Sequence, residues 1–92
     1  MTFPVGTVVR LKSPLLKNQA GVLGVVFYDY GDGSQVIFEN GELDGFSLDE
    51  QNEYLAKIGT SPLLEGYQFQ SVMKVDWDFH SGVFDSVLKS KI

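Results

Sequence analysis

Cysteine is absent from this chain, and histidine and tryptophan occur once each. Without cysteine there is no disulfide framework, no thiolate metal site and no cysteine nucleophile. One histidine leaves no second imidazole for a histidine-rich metal site. No apolar run approaches the ~20 residues that a helix needs to cross a membrane. The start, Met1-Thr-Phe-Pro4, lacks the charged-then-apolar build of a secretory signal, so the expectation is a soluble cytoplasmic protein. Basic residues are also scarce, seven against twelve acids, for a net charge of −5. Such acidity opposes generic binding to phosphate backbones, since the long-range field repels polyanions.

What is present fits one small globular domain spanning residues 1–92, with 43% hydrophobic residues and twelve aromatics to fill a core. The charge is unevenly spread. Arg10, Lys12 and Lys17 face no acid before residue 29, whereas residues 29–65 hold nine acids against Lys57.

Val5, Thr7, Val9 and Leu11 alternate with Gly6, Val8, Arg10 and Lys12, which predicts a strand over 5–12. β-Branched and aromatic residues predict a second strand over 21–30 and a third over 35–39. Asn40-Gly41 predicts a two-residue hairpin turn with Phe38 opposite Leu43 and Glu39 opposite Glu42, followed by a short fourth strand over 42–46. Ser47 and Glu50 form a capping box, and Leu48, Tyr54, Leu55 and Ile58 share a helical face, predicting a helix over 48–58 that ends at Gly59. Ser61-Pro62 starts little more than a turn before Gly66. From Tyr67 to Phe79 the odd positions are nearly all apolar, which predicts a long strand. Extended, that strand would span roughly 40 Å, more than so small a domain requires, so it bends or pairs with another chain. A homodimer through this strand is expected. The tail after Ser81 is expected to hold a short helix carrying Val83, Val87, Leu88 and Ile92. The fold class expected is mainly β (α+β): a small, strongly bent antiparallel barrel with one inserted helix.

The run Gly6-Thr-Val-Val-Arg-Leu-Lys12, the step Gly21-x-x-Gly24-x-Val26 and Gln35-Val-Ile-Phe38 resemble the core of SH3-like small barrels of the KOW type over residues 5–46. That resemblance implies a nucleic-acid-contacting loop at Lys12, Lys17 and Asn18, with Arg10 on the adjoining strand. The remainder is similar to small bacterial proteins, including those carried on mobile gene cassettes, which implies no activity. Phe27-Tyr-Asp-Tyr30 resembles the Ala-Leu-Tyr-Asp-Tyr motif of signalling SH3 domains, whose tyrosines line a groove for proline-rich peptides. Here it lies within the second strand instead of opening the domain, and Trp77 stands without a second tryptophan.

Both phases of the second strand are apolar, so either the helix covers its outer face or Tyr28 and Tyr30 form a contact patch; helix cover is the preferred account. Asp76, Asp78 and His80 would share a face of the last strand, but side chains spaced ~6.5–7 Å apart along it are too wide for chelation, and no metal is expected. Asp29 and Asp32 lack the spacing of a calcium loop. No nucleophile elbow or phosphate loop occurs, so no catalysis and no cofactor are expected. The function expected is a non-enzymatic binding module with Tyr28, Tyr30 and Trp77 as contact residues for a protein or small ligand. The alternative is an RNA- or ribosome-associated barrel acting through Arg10, Lys12, Lys17 and Asn18.

Overall fold

The computed structural model describes residues 3–15 and 17–88. Five strands form one antiparallel sheet: β1 (Thr7–Leu11), β2 (Leu23–Asp29), β3 (Gly33–Phe38), β4 (Leu43–Ser47) and β5 (Leu55–Thr60). Their order is β4-β3-β2-β1-β5, and among the described residues the two edge strands do not pair, so the sheet is not closed into the expected barrel. Helix α1 (Leu48–Tyr54) joins the two edges, and α2 (Val72–His80) and α3 (Asp85–Leu88) follow the sheet.

The apolar residues on both phases of β2 are explained by two cores. Val25 and Phe27 pack with Val8 and Ile37 against Leu64, Val75, Phe79, Phe84 and Leu88. Val26 points the other way, with Val9, Leu11, Val36, Phe38, Phe46 and Leu55. Phe46 on one edge strand and Leu55 on the other share this second core, so the sheet curls around it although its edges stay apart. Burying both faces removes the polar alternation that a half-wet strand would show.

Three sequence expectations need correction. The helix does begin with the Ser47–Glu50 capping box, each partner bonding the other's backbone, but it ends at Tyr54 rather than 58. Leu55 to Thr60 leaves as β5 because its backbone pairs with β1, Leu11 opposite Leu55 and Thr7 opposite Thr60, a long-range ladder that a continued helix would forfeit. The β3–β4 hairpin is also one residue out of the expected register, with Ile37 opposite Leu43. Its loop has three residues, 39–41. The Gly41 N–H donates to the Phe38 carbonyl at 2.9 Å, and Gly41 sits at φ +87°, a left-handed bend that glycine adopts without steric cost. Glu39 thereby avoids Glu42 and accepts a bond from the Leu23 N–H at 2.7 Å.

The largest correction is at Tyr67–Phe79, where no strand forms. Residues 67–71 have no regular structure, and α2 starts after Ser71, whose hydroxyl accepts from the Lys74 N–H at 3.1 Å. Positions four apart share a face at either period, so Val75 and Phe79 point inward in a strand or a helix alike. The odd positions that only a strand would bury, Met73 and Trp77, lie 83% and 69% exposed. In the tail, Asp85–Leu88 is helical as expected, whereas Ile92 lies outside the described residues. Among the described residues no helix is long and apolar enough to cross a membrane.

Candidate functional site

The far end of β2 carries the aromatic surface. A bulge interrupts its pairing with β3 between Val26 and Tyr28, so that Val26 faces Val36 but Tyr28 faces Gln35. The extra residue turns Tyr28 toward the side of Phe27, because a bulge breaks the alternation of the strand. Phe69, from the stretch before α2, lies 4.7 Å from Tyr28 and 5.6 Å from Phe27 between ring centroids. Tyr30 lies 6.1 Å from Tyr28, tilted by 35°. Its hydroxyl donates to the Phe46 carbonyl at 3.3 Å, and a Cβ on Gly33 would come within 2.5 Å of that hydroxyl, so the hydroxyl end of the ring occupies the space that a side chain at position 33 would need. Helix cover therefore stops at Phe27. Tyr28 and Tyr30 remain 37% and 41% exposed, beside the exposed Asp29 and Asp32.

Trp77 does not join them. It projects from α2, and no ring contact among the described residues links it to the tyrosine pair. Helical geometry also disperses the Asp76, Asp78 and His80 face. Asp76 and His80 lie 3.5 Å apart on the outer surface, while Asp78 points inward to accept from the Tyr67 hydroxyl at 2.6 Å and Lys74 Nζ at 2.7 Å. Burial alone pushes the Asp78 carboxyl up, but these donors outweigh it and hold the group below the ordinary carboxylate range. Burial and the adjacent carboxylate push the Tyr67 phenol upward. At Asp44, burial raises the pKa against a bond from the Gly45 backbone, with repulsion from Glu50 and Glu42 adding to the rise.

The basic residues do not gather on one surface. Arg10 is exposed on β1, and Lys12 donates to the Asn52 carbonyl near the C-terminal end of α1. Lys17 lies 3.8 Å from Glu42. Lys17 and Asn18 do come together with Gln19, Val22, Glu39 and Asn40, lining an open cleft of about 410 Å³ between the β1–β2 loop and the 39–41 turn. Sequence reasoning missed Phe69 because alternation assigned it to a core strand. It missed Glu39 and Asn40 because their place depends on the hairpin register.

No protein-family profile, curated protein or solved structure matches this chain.

Proposed function

We propose that the protein is a non-enzymatic binding module that receives a protein partner on the Tyr28–Tyr30 surface. The observation that carries this reading is the solvent-facing ring pair at the bulged end of β2. Exposed aromatics set on a rigid sheet are the side chains that anchor interfaces at low entropic cost. Asp29 and Asp32 beside the rings favour a basic partner. Proline rings and the cationic ends of lysine or arginine both suit tyrosine faces, so an extended, proline-containing basic segment fits best. The likeness of Phe27-Tyr-Asp-Tyr30 to the signalling SH3 motif points the same way, and the SH3-like barrel resemblance belongs to this proposal. Dispersal of Arg10, Lys12 and Lys17, two of them already engaged, supports this reading over RNA contact.

Titrating the ¹⁵N-labelled chain with a proline-rich, arginine-bearing peptide tests the proposal. Saturable shifts at Tyr28, Tyr30 and Phe69 are expected, with roughly tenfold weaker binding in Tyr28→Ala. Unchanged affinity in that variant overturns the reading, as does preferential RNA binding that collapses with added salt.

The proposed assembly is a homodimer, now through the outer face of α2. Met73 and Trp77 are neighbours one helical turn apart there, an unusually apolar pair for a solvated helix.

A further inference from the structure

The Asn40-Gly41 step sets an amide side chain beside a glycine nitrogen, and binding at the tyrosine surface makes no use of it. The pair has a chemistry of its own. Once deprotonated, the nitrogen that follows an asparagine attacks that asparagine's Cγ and closes a five-membered ring. Glycine suits the second place best, because no Cβ crowds the attacking nitrogen.

The folded turn presents the pair in a reactive form. Asn40 is exposed in the 39–41 loop, where hydroxide and water reach it. Its Oδ1 accepts the Glu42 N–H at 3.0 Å, which draws electron density from Cγ and favours attack there. One contact opposes the step: the Gly41 N–H donates to the Phe38 carbonyl at 2.9 Å and gives up that bond with its proton. Losing a single backbone bond slows the reaction by about tenfold at most.

Other positions are held back more firmly. Asn52 lies within α1, where the helical ladder fixes the N–H that follows it. Asn18 is 7% exposed, and the side chain of Gln19 crowds the nitrogen next to it. Asp32-Gly33 and Asp44-Gly45 offer carboxylates, which repel an anionic nitrogen.

We propose that Asn40 is a self-modification site of the folded chain, converting through a succinimide to isoaspartate and aspartate. Hydroxide takes the Gly41 amide proton, and the nitrogen bonds to Cγ. The bond from Cγ to the side-chain nitrogen then breaks, and that nitrogen leaves as ammonia with a proton from water. Water opens the ring at either carbonyl: parting the ring nitrogen from Cγ leaves aspartate, and parting it from the main-chain carbonyl leaves isoaspartate. Nothing is oxidised or reduced. The isoaspartyl form adds an atom to the main chain where a Cβ on Gly41 would already lie 3.1 Å from the Phe79 ring. Either product adds a negative charge next to Glu39. This chemistry is independent of the Tyr28–Tyr30 surface.

Incubating the full chain at mildly alkaline pH, with and without urea, followed by peptide mass mapping, tests the proposal. In the native chain, ammonia loss and water gain are expected at Asn40, with isoaspartate and aspartate both present. Conversion at Asn18 and Asn52 should be at least about tenfold slower. The native rate at Asn40 should lie within about tenfold of the rate in urea. Asn40→Gln, which would need a larger ring, should show no conversion at position 40 over the same time. Aspartate alone at position 40 would mean direct hydrolysis and overturns the proposal. A native rate more than about tenfold below the rate in urea overturns it too, because the modification would then belong to the unfolded chain. Conversion at Asn18 or Asn52 within about tenfold of Asn40 has the same force.

Discussion

Asp78 shows how one carboxylate can hold a segment that has no regular structure of its own. It accepts from Lys74 four residues back on α2 and from Tyr67 in the stretch leading to that helix. Its pKa lies below the ordinary value, so its contribution to stability is complete above the ordinary carboxylate range and is lost as pH falls below it. Asp78→Asn should lower stability by about 2–3 kcal/mol at neutral pH, because a buried charged acceptor is removed from two donors. The gap between variant and native chain should narrow on acidification toward pH ~3, as the native carboxyl takes up its proton. Urea midpoints measured across that range check both statements, and a constant gap would assign the effect to packing alone.

At the scale of elements, the two capping serines offer a matched comparison. Ser47 was legible as a cap because Glu50 completes the box, whereas Ser71 has Lys74 at the corresponding place and only its hydroxyl acts. Ser47→Ala and Ser71→Ala should each cost ~1 kcal/mol, since each leaves a helix N–H without its acceptor. Chemical denaturation with helical circular dichroism reads both. A neutral Ser71→Ala would mean that the Ser71 hydroxyl does not cap α2. The boundary between α1 and β5 was not legible for a different reason. Leu55 and Ile58 continue the apolar helical stripe, and only the pairing with β1 makes extension the better use of their backbone.

For the molecule as a whole, Trp77 separates the two arrangements of the chain. In a core strand its removal would be costly; on the outer face of α2, Trp77→Ala should change monomer stability by less than ~0.5 kcal/mol. Light scattering at high micromolar concentration should give about twice the 10.2 kDa chain mass, returning to 10.2 kDa in this variant. A 10.2 kDa mass for the native chain would rule out the α2 dimer.

Local chemistry settled much of this protein in the sequence alone. Alternation located β1, β-branched and aromatic runs located β2 and β3, Asn40-Gly41 placed a tight turn before β4, and Ser47 with Glu50 opened a helix, because each of these signals is decided by residues within a few positions of one another. Tyr28 and Tyr30 were also legible as candidates, since two aromatics on one strand phase need either cover or a partner. What the tertiary structure alone decided was their exposure, the end of α1, the helical state of 72–80 and the cleft at Asn18. Those outcomes depend on contacts between distant segments: β1 with β5, Phe69 with Tyr28, and the 39–41 turn with the loop before β2. A one-residue register change or a bulge moves such contacts without altering the local pattern, because period two and period 3.6 agree wherever apolar residues stand four apart.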